Sequence, residues 1–440
     1  MKKVFGIAAL LLAFVACNKI ETEKQVTENT DGIPFTATVS LGDNAATKAL
    51  AESGSTITAT WAEGEKVALI HNGVSDEMTV SSVSGGSATI TGTITGTPAD
   101  GDAVTIIYPS SAADGTTGNI KADLLYAQNG LLTGEGSISK NYDARKGTGT
   151  LKVDGTATLD GSVSLTNQFA IFKFTVRGAD GTTVISAKPL TVTIGTQDYV
   201  ITPAAATDVL YAALPAVSGE KVSFDATDGS DRTYTCAKLS VSFAAGSYYQ
   251  STLKMREYVD LGIVVGGKKI KWATCNVGAA NPQDYGDYFA WGEATTKTDY
   301  KSDWSNYFDG GSTFTKYNTN GGKMVLDFEN DAANANWGGS WRMPTNAEME
   351  ALLALSKEWG TYEGINGYKF TGNGKTLFLP AAGYRDGTDL LNAGSYGYYW
   401  SSSLYENYSY YAWYVFFYSG DAISRNLSRY YGRSVRPVSE

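Results

Sequence analysis

Four side chains set the limits on chemistry here: one histidine, His71, and three cysteines, Cys17, Cys236 and Cys275. Sites built on several histidines are excluded by that count. A zinc site would have to gather His71, Cys236 and Cys275 from distant segments with no close-spaced ligand pair, and none is expected. A Ser-His-Asp arrangement would have to use His71, but "ALIHNG" reads as a strand running into a turn, a setting in which a lone histidine is structural. Glu348 and Glu350 read as solvated carboxylates on a helix surface, which is no distinctive sign of a glycosidase. The glycine runs lack the Lys-Ser/Thr ending of a phosphate loop. Exposed Asp and Asn loops leave calcium open, but no metal or other cofactor is expected, and the chain reads as a non-enzyme. Cys236 and Cys275 form either a disulfide, in an oxidising compartment, or two isolated buried thiols.

The elements that carry these residues belong to a chain of 440 residues, room for about two to four domains. Hydrophobic residues make up 42% and charged residues 18%, and 49 glycines against 10 prolines point to turns between strands. The formal charge of -10 leaves no general basic surface to neutralise a phosphate backbone, so nucleic acid is not expected as a partner.

Lys2 and Lys3 precede an apolar stretch, Val4 to Val15, too short to span a bilayer, and Ala16 supplies a small residue before Cys17. The run Phe14-Val15-Ala16-Cys17 resembles a bacterial lipobox, with Phe14 in place of the usual Leu. The resemblance implies a lipoprotein signal peptide over 1–17, a lipid on Cys17, and a polar tether over 18–31. That tether resembles the acidic export tags of surface lipoproteins and has no Asp directly after Cys17. The implied location is the outer membrane, lipid-anchored and facing outward. The alternative is an ordinary secretory signal that contains a cysteine.

From Phe35 to Met255 short apolar/polar alternations are punctuated by Asp100-Gly101, Asp114-Gly115, Asp154-Gly155, Asp160-Gly161, Asp180-Gly181 and Asp228-Gly229, which predicts strands joined by tight turns. The expectation is a mainly β sandwich region of two lobes, 32–165 and 166–256. The strings "ATWAEGEKVALI" around Trp61, "FAIFKFTV" from Phe169, "YAALPA" from Tyr211 and "FAAGSYYQSTLKM" from Phe243 resemble the fimbrillin-like family of bacterial lipoproteins. That family implies fimbrial subunits as partners, by donation of a strand to a neighbour's open edge or by a tip or anchor role. Lys48 falls where such proteins are cleaved, against the plainer reading of a solvated loop charge.

Beyond Arg256 the composition changes, with eight of the nine tryptophans following it. Thr345 and Glu348 form a capping-box pair that opens a helix carrying Met349, Leu352, Leu353, Leu355 and Trp359 toward the core and ending at Gly360. A shorter helix is expected around Asn330 to Ala335. The strings "EYVDLG", "KWATCNVGA", "YGDYFAWGE", "WGGSWRMPTNAEMEAL", "LFLPAAGYRDG", "YYWSSS" and "SVRPV" resemble the Fibrobacter succinogenes major paralogous domain. The resemblance implies an α+β, C-type-lectin-like domain over 257–440, with Trp337, Trp341, Arg342, Pro344, Pro380, Gly383 and Arg436 as scaffold. It is related to formylglycine-generating enzymes but lacks their late pair of catalytic cysteines.

Eleven of the 28 tyrosines lie between Tyr396 and Tyr431. Between Ala412 and Tyr418 the alternation predicts Trp413, Val415 and Phe417 facing the core and Tyr414, Phe416 and Tyr418 facing outward. Clustered Tyr, Ser, Asn and Asp are the residues of antibody loops, where Tyr supplies contact area at low entropy cost. The terminus also resembles variable regions diversified by retroelements, whose adenine-directed mutation cannot produce Lys, Gln, Glu, Met or Trp. From Leu404 to Val438 only Glu406 and Trp413 depart from that alphabet. The candidate ligand-binding positions are Tyr405, Asn407, Ser409, Tyr410, Tyr411, Tyr414, Phe416, Tyr418, Asp421, Ser424, Asn426, Ser428, Tyr430 and Tyr431. The plainer alternative is an aromatic surface that packs on a neighbouring domain or stacks on sugar.

The leading expectation is a surface lipoprotein that displays a binding domain for an unidentified protein or glycan, an adhesin or receptor. A fimbrial tip or anchor subunit is the alternative, and a carbohydrate-processing enzyme ranks last.

Overall fold

The computed structural model describes residues 32–41, 51–301 and 314–440. The signal peptide, Cys17, the tether and Lys48 lie outside the described residues. The first strands are β1 (Ile33–Leu41), the hairpin β2 (Ala51–Ser53) and β3 (Thr56–Thr58), β4 (Lys66–His71), β5 (Val74–Ser84), β6 (Ser87–Ile94), β7 (Ala103–Tyr108), β8 (Ala127–Gln128), β9 (Arg145–Asp154), β10 (Thr156–Leu159) and β11 (Val163–Asn167). The expected turns form: Gly101, Gly115, Gly155, Gly161 and Gly181 all take positive φ, the conformation a glycine accepts without a Cβ clash. The turn at Asp228-Gly229 differs, with Asp231 taking the positive φ instead.

Eight of these strands join in one sheet ordered β10-β1-β11-β9-β7-β4-β5-β6, and β1 also pairs antiparallel with β6, so the strands close on themselves around β1. His71 ends β4, 2% exposed, its Nε2 3.1 Å from the Thr95 carbonyl oxygen.

The second region contains β12 (Ala170–Gly178), β13 (Ala187–Ile194), β14 (Gln197–Ile201), β15 (Val209–Leu214), β16 (Val217–Asp228), β17 (Thr233–Phe243) and β18 (Tyr248–Val265). Its sheet runs β15-β12-β18-β17-β16-β13-β14-β8. β8 thus leaves the first region to pair parallel with β14, and the buried Gln128 fixes it by donating to the carbonyls of Leu125 and Ala213 and accepting from Ala213 N. Glu52, on the β2–β3 hairpin, reaches the second sheet as well. Its carboxylate accepts from Lys173 at 2.8 and 3.0 Å, Tyr211 at 2.6 Å, Tyr248 at 3.0 Å and Gln250 at 3.0 Å. One apolar core, from Phe35 to Met255, runs through both regions. The expected lobe boundary at 165/166 falls inside β11.

The 256/257 boundary falls inside β18, at about 60 Å the longest strand. Its first half pairs with β12 and its second half with β19 (Lys268–Ala273), so no linker separates the last region from the sheet. That region continues with helices α1 (Ala332–Trp337) and α2 (Asn346–Leu353) and strands β20 (Ser356–Tyr362), β21 (Ile365–Gly372), β22 (Lys375–Pro380), β23 (Tyr384–Asp386), β24 (Asp389–Leu391), β25 (Gly397–Leu404), β26 (Tyr411–Tyr418), β27 (Asp421–Ser428) and β28 (Val438–Ser439).

The capping box at Thr345 and Glu348 is present. The helix, however, stops at Leu353, and Trp359 and Gly360 lie in β20. Seven backbone pairs with β21 outcompete the helical continuation, closed by a turn in which Glu363 and Gly364 take positive φ. Glu348 is not a solvated carboxylate: it is 3% exposed and meets both terminal nitrogens of Arg342, at 2.8 and 2.6 Å. Glu350 is exposed. Asp331 caps α1 from a buried position, accepting from the backbone nitrogens of Ala333, Asn334 and Met343. Burial pushes its carboxyl up to about 6 against the pull of those three donors.

Candidate ligand-binding surface

The tyrosine-rich sequence folds into the three-stranded sheet β25-β26-β27. Side chains alternate across it, so the candidate positions fall on two faces and at two turns. Phe417 and Val415 enter the core shared with α2 and β21, where Gly397 gives the Phe417 ring its room: a Cβ there would lie 2.0 Å from the ring.

The opposite face bears Tyr398 and Trp400 on β25, Tyr414, Phe416 and Tyr418 on β26, and Ile423 and Arg425 on β27, aligned by the pairs Tyr398–Phe416–Ile423 and Trp400–Tyr414–Arg425. One half of this face is core. Tyr414 is 4% exposed, packed against Trp400, so its predicted outward orientation is corrected: a second apolar cluster built on Trp291, Tyr317 and α1 covers this end of the sheet. The other half is open. Phe416 is half-buried and Tyr418 is 39% exposed. Tyr396 stacks on Phe416 at 5.7 Å and lies 6.0 Å from Tyr418, while the Arg425 guanidinium sits 4.9 Å over the Phe416 ring. The row continues through Tyr398 to Tyr384 at 4.8 Å, then to Tyr431 at 5.5 Å and Tyr430 at 4.2 Å. Asp421 stands exposed opposite Tyr418 at the β26–β27 turn.

Beneath this row Arg433 is fully buried, its guanidinium 3.5 Å from the Tyr414 ring centroid and 4.0 Å from that of Trp400. Burial lowers its pKa to about 10, with the surrounding tyrosines opposing the shift. It remains a cation at neutral pH. Burial also raises the Tyr398 and Tyr384 hydroxyls above the ordinary tyrosine value, so both rings stay neutral.

The second group surrounds the β25–β26 turn. Tyr405 lies 6.5 Å from Tyr411 and 5.3 Å from Trp413, and Tyr408 lies 4.9 Å from Tyr411 and 5.0 Å from Tyr410. Trp413 is half-buried and donates to Glu406 at 2.9 Å. Asn407 is exposed and donates to the Tyr405 hydroxyl. Ser409 accepts from Thr319 N at 2.9 Å, and Ser424 donates to Asn346 at the start of α2 at 2.7 Å. Asn426 and Ser428 lie on the Trp413 and Tyr411 side of the sheet. The exposed and half-buried candidate tyrosines therefore fall on two separate surfaces, while Tyr414 is core and Ser424 faces the start of α2.

Tyr384, Tyr396, Tyr398, Tyr408 and Arg425 belong to these surfaces without being among the candidates. Register between β26 and β27 places Arg425 and packing against Tyr398 places Tyr384, whereas Tyr396, Tyr398 and Tyr408 carry the same composition signal as their neighbours. Cys236 and Cys275 are free thiols. Among the described residues no three acidic, histidine or cysteine side chains gather as a metal site.

A domain of unknown function, DUF8237, matches residues 361–438, which hold the tyrosine-rich sheet. No curated protein matches the chain. Among solved structures, a Bacteroides uniformis protein named for cell adhesion is 13% identical, with 51% of this chain and 95% of that one covered at a TM-score of 0.29. A fimbrial assembly protein from Parabacteroides distasonis is 12% identical, covering 52% and 94% at 0.29. A fimbrial protein from Bacteroides ovatus is 11% identical, covering 93% and 99% at 0.24.

Proposed function

We propose that this chain is a cell-surface binding protein whose ligand is contacted by the open aromatic row around Tyr396, Phe416 and Tyr418. One observation carries the reading: half-buried and exposed rings stand in register on a rigid sheet, with a cation, Arg425, laid over one of them. Large rings held by packing lose little entropy on binding, and Tyr with Arg dominates the energetics of protein interfaces. In this reading the two β regions serve as the stalk, Cys17 carries the lipid that holds the chain to the outer membrane, and the last region is a lectin-like display domain. Retroelement diversification of the terminus belongs to the same proposal, and a near-copy of the gene's 3′ end with adenines at the candidate codons would test it.

The binding test uses the full chain on a glycan array and on a mucin-coated surface. Tyr396→Ala with Tyr418→Ala is expected to abolish retention. Unchanged retention by the folded double variant overturns the role of this row. Loss of filaments in cells lacking the chain, with retention unaffected by the substitutions, would instead assign it a structural place in a fimbria.

A further inference from the structure

A cavity of about 390 Å³, within the range of small-molecule sites, lies where the second β region meets the last region, far from the aromatic row in sequence. Arg256, at the middle of β18, lines it. Its guanidinium lies 3.9 Å from the centroid of Trp337, which is itself pinned edge-on against Trp341 at 5.4 Å. Among the described residues no oxygen accepts a hydrogen bond from the Arg256 guanidinium and no carboxylate pairs with it. A guanidinium lying over an indole face spends none of its N–H donors on that contact, so they stay available to a ligand.

The nearby carboxylates are directed elsewhere. Asp180 closes its own turn, accepting from Thr182 N and Thr183 N at 2.8 Å and from the Thr183 hydroxyl at 2.6 Å. Asp228 accepts from Arg232 at 2.9 Å and from the Tyr234 hydroxyl at 3.0 Å. Glu257 is half-buried, raised by burial, and feels the charges of Arg232 and Asp228. Ile185 and Met255 supply an apolar wall. A half-buried, fixed and unpaired guanidinium is matched by one planar monoanion. Asp180 and Glu257 disfavour a dianion in the same space.

We propose that this cleft binds a carboxylate of monosaccharide size, held in a fork by Arg256 over the Trp337 platform. The site is separate from the aromatic row, and its test does not depend on that reading. Cys275 lines the same cavity and Cys236 does not, so the two free thiols report on occupancy in the unaltered protein.

The probes are sodium glucuronate, N-acetylneuraminate and glutamate, with glucose and inorganic phosphate as contrasts. At least one carboxylate at about 10 mM is expected to slow iodoacetamide modification of Cys275 by about tenfold or more, read by peptide mass mapping, and to leave Cys236 unchanged. Calorimetry is expected to give about tenfold weaker binding of that carboxylate to Arg256→Gln. Protection by none of the three, equal protection by glucose, tighter binding of phosphate, or undiminished binding to folded Arg256→Gln each overturns the proposal. If Arg256→Gln does not fold, the thiol protection decides.

Discussion

The guanidinium of Arg433 lies 3.5 Å from the centre of the Tyr414 ring, and among the described residues none of its nitrogens finds a hydrogen-bond acceptor. A buried cation held only by ring faces is desolvated without the acceptors that normally offset burial. Arg433→Met, which keeps the length and removes the charge, is expected to leave stability within about 1 kcal/mol of the parent or to raise it. Arg433→Ala, which also leaves a cavity, is expected to cost about 2–5 kcal/mol. Denaturant unfolding of the two variants checks this, and a large loss for Arg433→Met would mean that the cation stabilises the sheet.

Tyr414 and Tyr418 are two residues apart on one face of β26, yet 4% and 39% exposed. Tyr414→Ala is expected to destabilise by about 3–5 kcal/mol through loss of packing against Trp400. Tyr418→Ala is expected to change stability by about 0.5 kcal/mol or less while weakening ligand retention. Thermal unfolding beside the array measurement separates the two effects.

Asp331 gives a pH dependence of defined sign. Its carboxyl titrates near 6 in the folded chain and near 3.9 unfolded, so the folded state binds the proton more tightly. Stability should therefore rise as pH falls from about 6 to about 4, by about 2–3 kcal/mol from this group. In Asp331→Asn the slope over that window should flatten, as read from unfolding midpoints at several pH values.

Glu52 acts with the opposite sign. Hydrogen bonds from Lys173 first, then Tyr211, hold its carboxyl below the usual range, so its contribution is present above about pH 4.3 and lost as pH falls through the lowered value. Glu52→Ala is expected to cost the hairpin about 1 kcal/mol. Amide exchange across β2 and β3 at neutral pH should then quicken about fivefold.

Local chemistry was legible in the sequence where one or two residues decide the backbone. Thr345 with Glu348 marked the start of α2, and five Asp-Gly pairs marked turns whose glycines take positive φ. The end of α2 was not legible, because Leu355 and Trp359 sit at helical spacing, yet Leu355 lies in the bend before β20 and Trp359 in β20, which pairs with β21. Alternation sorted β26 into two faces, but Trp413, expected in the core with Val415 and Phe417, lies half-buried against Tyr405 and Glu406. It could not tell that a second core, reaching from Trp291 and α1, covers half of the outward one. Arg425 joins the aromatic row through register between strands and Tyr384 through packing against Tyr398, neither of which a single segment encodes. The passage of β8 and Glu52 into the second sheet was hidden for the same reason: both depend on contacts between residues far apart in the chain.

The continuity of β18 has a mechanical consequence. Over Tyr248–Met255 this strand lies parallel to β12, and over Tyr258–Val265 it pairs with β19. Tension drawn along it from a captured ligand would strain the β12 hydrogen bonds together, in shear, instead of opening them one at a time as at the end of a hairpin. If the proposed row captures a ligand, the pull would thus reach the second β region through strands loaded in shear.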